Sequence, residues 1–147
     1  MKKLIYGFLL FDVAVFAIMV LTGALGADVN TKAVDFDSAI KANKGILVDV
    51  RTPEEFAWER IDGAVNVDWK GNDFEKSMQK FDENEPLLIY CRSGARASRA
   101  RRKLRKMGFK EILNLDGGIL QWKDKGLPTW KSPDYKEGGH GGGEEGC

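Results

Sequence analysis

The chain has 147 residues, 43% of them hydrophobic, which is enough for one domain with a sizeable core and too few for two comfortable ones. Its 23 basic and 22 acidic residues nearly cancel, so the molecule as a whole has no electrostatic commitment to nucleic acid or to an anionic membrane. Two cysteines, Cys91 and Cys147, do not make a disulfide framework.

Lys2 and Lys3 precede an apolar run over residues 4–27 in which Asp12 is the only charge. This is the pattern of an export signal, and the small residues at 23–27 suit cleavage near Ala27. The same run reaches the roughly 20 residues of a retained membrane anchor. Asp12 weighs against that alternative, because an acid at membrane depth costs about 2.5 to 3.5 kcal/mol. Either way the domain is expected outside the cytosol, periplasmic or otherwise extracytoplasmic, either free or anchored to the cytoplasmic membrane by residues 4–27. Residues 28–34 read as a linker.

Residues 36–45 predict a helix of about two turns, with Phe36, Ala39 and Ile40 on one face and Gly45 placed to end it. Residues 46–50, "ILVDV", form a short and nearly all-apolar run of the kind that becomes a central parallel strand. Thr52 then caps a short helix with Pro53 at its first position and acids in its first turn. Residues 64–67 are a further strand candidate, and residues 72–80 a third helix. "PLLIY", residues 86–90, is the next buried strand, with Pro86 where a missing N–H is tolerated. Ala97, Ala100, Leu104 and Met107 then share one helical stripe that Gly108 closes. Residues 111–115 make the last strand, Asp116-Gly117-Gly118 a turn, and residues 119–126 a final helix. Alternating strands and helices imply a parallel α/β sheet. The domain is thus expected over residues 35–130, with a flexible glycine-rich tail at 131–147.

Cys91 follows the carboxyl end of an apolar strand, which is where open α/β sheets bind ligands. Ser93, Gly94 and Ala95 let the backbone curl so that amide N–H groups converge, and the following helix adds the positive end of its dipole. Arg92 and Arg96 reinforce that anion cradle. The same field favours thiolate over thiol at Cys91, giving a nucleophile with an anion pocket around it. A core cysteine beside surface arginines is the plainer alternative, but between Tyr90 and Ala97 the loop offers no apolar packing group except Ala95.

"LVDVRTPEEF", "IDGAVNV", "LLIYCRSGARA", "LRKMGF" and "LNLDGGILQWKDKGLPTW", in that order, resemble a single-domain rhodanese, a sulfurtransferase module. The resemblance runs from about residue 34 to residue 130. It implies a three-layer α/β/α fold, rhodanese-like, around a five-stranded parallel sheet flanked by helices, with Cys91 as the sulfur-carrying residue. One stretch departs from the pattern: Glu59-Arg60 precede Ile61 where the family commonly has Gly-His, and Asp62-Gly63-Ala64 follow where it has Pro-Gly-Ala. The resemblance further implies sulfur transfer through a Cys91 persulfide, from a small anionic donor such as thiosulfate to a thiophilic acceptor, either cyanide or a thiol. Arg92, Ser93, Gly94, Ala95 and Arg96 would bind the donor, and no cofactor or metal is required.

Two other chemistries compete for the same loop. Phosphatases resembling this fold use Cys-x5-Arg, one residue longer than the Cys-x4-Arg spacing here. A persulfide carrier without turnover, loaded by a partner protein, needs the same loop as the enzyme.

Elsewhere the plainer readings lead. Asp49 is a supporting candidate, a strand-end carboxylate that hydrogen-bonds the loop or nearby backbone, and Arg51 pairs with Glu54 or Glu55. The basic helix from Arg96 to Lys106 reads as a solvated face rather than a nucleic-acid surface. His140 and Cys147 in the tail make a weak case for metal or redox chemistry. A monomer is expected.

Overall fold

The computed structural model describes residues 28–134, so the expectations for residues 1–27, His140 and Cys147 lie outside the described residues. A strand that is apolar on both faces is stable only inside a sheet covered on both sides. That condition is met by β5 (Leu87–Tyr90), where every residue is buried, and by β2 (Ile46–Asp49). They pair in parallel at the centre of a five-stranded sheet. Beyond β5 lie β6 (Ile112–Leu115) and the edge strand β1 (Asp28–Thr31), and beyond β2 lies β4 (Val65–Asn66), giving the order β1-β6-β5-β2-β4. All pairings are parallel.

Alternation along the strands divides the core in two. Leu87, Ile89 and Cys91 join Val48 and Val50 on one face, beneath α3 (Phe74–Met78) and α4 (Ala95–Lys106). Leu88 and Tyr90 join Leu47 on the other, beneath α1 (Ala33–Lys41) and α5 (Gly118–Asp124). The result is the expected three-layer α/β/α domain. Trp122, packed with Ile119 as their spacing implies, meets the Phe36 ring edge-on at 6.4 Å and donates from Nε1 to the Pro128 carbonyl.

Two local expectations need correction, and one element was not expected at all. Residues 28–34 are not a linker: Asp28 to Thr31 pair residue by residue with Ile112 to Leu115, and α1 begins at Ala33, bringing Ala33 into line with Phe36 and Ala39. A polar segment can be an edge strand when only one of its sides needs a partner, so hydrophobic alternation does not announce it. Gly45 does not end α1, which stops at Lys41; Asn43 makes the left-handed turn instead, at φ 54°. Gly45 is needed for a close approach, since a Cβ there would lie 2.1 Å from the Pro86 carbonyl oxygen. The unexpected element is an antiparallel ribbon of β3 (Glu59–Arg60) and β7 (Trp130–Lys131), too short to carry a pattern. It ties residues 130–131 to the segment after α2 (Pro53–Trp58).

Candidate active site at the Cys91 loop

The chain leaves β5 at Tyr90 and enters α4 at Ala95, so the loop between them consists of Cys91, Arg92, Ser93 and Gly94. Gly94 takes φ 97° as the residue before the helix, a left-handed conformation that side chains rarely adopt. This curl turns the Gly94 N–H onto Cys91 Sγ at 3.1 Å. The first helical bond of α4, from Ser98 N–H to the Gly94 carbonyl at 2.9 Å, leaves the first-turn amides of Ala95, Arg96 and Ala97 ahead of it, at the positive end of the helix. Cys91 itself is only 1% exposed, packed on the face that carries Ile89 and Val50. A donor must therefore present its sulfur as a slim terminal atom.

A second helix end braces the loop from below. Ile119 N–H donates to the Cys91 carbonyl at 2.9 Å and Leu120 N–H to the Arg92 carbonyl at 3.2 Å. The N-terminus of α5 thus holds the loop's own oxygens, while that of α4 stays with the thiol. Gly117 and Gly118, read from sequence only as a turn, are part of this brace, with φ 67° and 59°. Leu120, whose amide makes the second of these bonds, is itself 48% exposed. Two successive glycines just past a strand were the available signal for this contact.

The expected charges are redistributed. Arg92 is exposed and has no ion-pair partner among the described residues. Arg96, the other expected donor ligand, lies in the first turn of α4 and forms a two-pronged bridge to Glu55: Nη1 to Oε2 at 2.6 Å and Nη2 to Oε1 at 2.8 Å. Glu55 Oε2 also accepts from the Thr52 N–H at 3.1 Å while Thr52 Oγ1 accepts from Glu55 N–H at 3.4 Å, a reciprocal cap on α2. Burial works to raise the Glu55 carboxyl, but the Arg96 hydrogen bonds and charge, with the Thr52 amide, hold it below the usual carboxylate range. The Glu55 hydrogen bonds in turn raise Arg96. Residue types alone did not reveal this pair, because its members stand 41 positions apart.

Asp49 and Arg51 form a fully buried pair behind the loop. Arg51 donates from Nε and Nη2 to the Asp49 carboxylate, at 3.0 and 2.6 Å, and from Nη2 to the Glu59 carbonyl at 2.5 Å. Asp49 also accepts from the Arg51 backbone N–H at 2.9 Å, the nearby-backbone role expected of it. Arg51 therefore pairs with Asp49 and not with Glu54 or Glu55, because its side chain turns back into the core. Beside them, burial first and then the Asp49 charge push the Tyr90 hydroxyl far above its ordinary value, so it stays protonated while accepting from Ile61 N–H at 3.1 Å. The departing stretch at 59–64 supplies the Glu59 and Ile61 backbone groups in this network. Arg60 stacks on Trp130 at 3.6 Å and on Phe56 at 4.9 Å. Among the described residues, no group of three or more His, Cys, Asp or Glu side chains is placed to hold a metal ion, and no helix is long and apolar enough to cross a membrane.

The chain is thus a parallel α/β domain whose central strand ends on a thiol, with a backbone amide curled onto its sulfur and a helix starting just beyond. The model of the rhodanese-like domain family matches residues 32–125, and the chain belongs to that family. A sulfurtransferase of Allochromatium vinosum is 39% identical over 83 residues, covering 56% of this chain and 76% of that one. Thiosulfate sulfurtransferase 16, chloroplastic, of Arabidopsis thaliana is 35% identical over 92 residues, covering 56% and 77%. A further, longer relative is matched at 39% identity over only 48% of its length. Among solved structures, the polysulfide-sulfur transferase homodimer from Wolinella succinogenes matches with a TM-score of 0.62 and 27% identity, over 86% of this chain and 94% of that one.

Proposed function

We propose that this chain is a sulfurtransferase that carries sulfane sulfur on Cys91 as a persulfide. The observation that carries the proposal is the 3.1 Å contact from Gly94 N–H to Cys91 Sγ, in a loop whose next residues open a helix toward the same sulfur. Such a field stabilises negative charge on the sulfur it faces, as the persulfide anion requires. In the first half-reaction Cys91 thiolate attacks the outer sulfur of a donor such as thiosulfate. A sulfur–sulfur bond forms to Cys91, the bond to the sulfonate group breaks, and sulfite leaves with the electron pair. In the second, cyanide or a thiolate attacks the outer persulfide sulfur, takes it as thiocyanate or a new persulfide, and returns Cys91 as thiolate. The two steps need no external oxidant or reductant. Arg92 and the amides of Ser93, Gly94, Ala95 and Arg96 receive the donor's negative charge. The apolar run at residues 4–27 supports action outside the cytosol, which cell fractionation of the full chain tests.

The experiment is intact mass of the protein before thiosulfate, after it, and after subsequent cyanide, with Cys91→Ala alongside. Addition of one sulfur atom to the parent alone, removed by cyanide with release of thiocyanate, is the expected result. No addition, or equal addition to the variant, overturns thiosulfate as a donor at this loop. Loading by a partner protein alone would then assign the carrier role.

A further inference from the structure

Arg96 cannot serve the donor as an unencumbered cation. Two of its N–H groups are spent on Glu55, and a carboxylate this close, at 2.6 and 2.8 Å, compensates its charge. The pair is built rather than incidental, because Glu55 is fixed a second time by the cap on Thr52 and both side chains are largely shielded, at 30% and 16% exposed. Asp49 and Arg51 likewise cancel one another. Within the loop itself the remaining cation is Arg92, which has no ion-pair partner among the described residues, and beside it lie the amides of the α4 first turn.

We infer that Glu55 is a positioning residue that sets donor selectivity: by neutralising Arg96 it tunes the Cys91 site to donors with a single negative charge at the transferred sulfur, such as alkyl persulfides, in preference to dianionic thiosulfate. The inference rests on the sulfurtransferase reading. Thiosulfate carries a second charge on a bulky sulfonate head, and the compensated Arg96 meets that charge with a carboxylate beside it. An alkyl persulfide brings one charge and a slim terminal sulfur, matching one free guanidinium and a thiol that is 1% exposed. Its transfer balances in the same way: Cys91 thiolate attacks the outer sulfur, the donor's sulfur–sulfur bond breaks, and the alkyl thiolate leaves with the electron pair.

The test compares two donors, thiosulfate and the persulfide of N-acetylcysteine amide, whose only charge is on sulfur. Steady-state transfer is measured for the parent, Glu55→Gln and the double variant Glu55→Gln/Arg96→Gln. Gln keeps the cap on Thr52 and the length of the side chain while removing the charge. In Glu55→Gln the freed Arg96 is expected to lower KM for thiosulfate about three- to tenfold, the size of one modest charge interaction, with kcat little changed and KM for the persulfide within twofold. The double variant, which removes both members of a neutral pair, is expected to keep the parent's ratio of kcat/KM between donors. An unchanged ratio in Glu55→Gln, or a double variant that loses thiosulfate binding, overturns the inference by showing that Arg96 already grips the donor. Should neither donor add sulfur to Cys91 of the parent, the sulfurtransferase reading itself falls, an outcome distinct from failed selectivity.

Discussion

Gly118 sits against the backbone that carries Cys91: a Cβ added there would lie 2.4 Å from the Cys91 carbonyl oxygen and 2.5 Å from that of Arg92. No flexible side chain is available to yield, and the φ of 59° already disfavours any other residue. Gly118→Ala is therefore expected to cost at least about 2 kcal/mol in urea unfolding and to slow sulfur loading of the fraction that folds. Gly63→Ala is the matched control. It also has a positive φ, 78°, but open space around it, so its cost should stay near 1 kcal/mol with loading unchanged.

Tyr90 predicts a purely structural loss. Its hydroxyl accepts the Ile61 N–H on the sheet face opposite Cys91, and burial holds it protonated, so it has no part in the chemistry of the thiol. Tyr90→Phe leaves a buried N–H without its acceptor, at a cost of about 1 to 3 kcal/mol. The pH profile of sulfur transfer should keep its shape, and a displaced profile would contradict the assignment.

The buried Asp49–Arg51 pair behaves differently from an exposed bridge. Arg51 is 4% exposed, so Asp49→Ala strands a charge in the core and should cost about 3 to 5 kcal/mol. Replacing both residues, as Asp49→Leu/Arg51→Met, should recover much of that loss. A double-mutant cycle by thermal or urea melting reads the coupling, and strictly additive losses would show that the two charges do not depend on one another.

Glu55 gives a pH signature. Its carboxyl is held below the usual range in the folded chain, so its pairing stabilises the fold fully above the unfolded value near 4.3 and is lost as pH falls through the lower folded value. The stability margin of the parent over Glu55→Gln should accordingly be largest above about pH 5 and shrink as the solution is acidified. Chemical denaturation of both proteins at several pH values measures it, and a margin that widens in acid would contradict the pair.

The strands β2 and β5, the stripe of α4 and the position of Cys91 were all legible in the sequence because each is written locally, as an apolar run or a fixed helical spacing. The same holds for the Thr52 cap, whose partner is three residues away. What stayed hidden was set by tertiary contact. Arg96 finds Glu55 across 41 positions, Arg51 is turned onto Asp49, two positions away, where it also meets the Glu59 carbonyl eight positions on, and Asn30 in a polar stretch becomes part of a sheet edge only because β6 is there to meet it. The Gly117–Gly118 brace lay between these cases: its glycines were conspicuous, but their target was not.

The edge strand has a practical bearing on where this domain can be cut. The family match begins at residue 32, one position after β1 ends. A fragment trimmed to that boundary would strip β6 of its outer neighbour and expose a row of unpaired backbone groups, a template for association with other chains. It would also remove Asn30, whose Oδ1 receives both Asn114 and Arg101. Asn114 in turn donates to Ser98, which donates to the carbonyl of Gly94, the residue whose amide touches the sulfur. Loss of four residues at a margin of the sheet would thus reach the thiol through a relay of side chains, and a recombinant fragment beginning at Asp28 is the one to make.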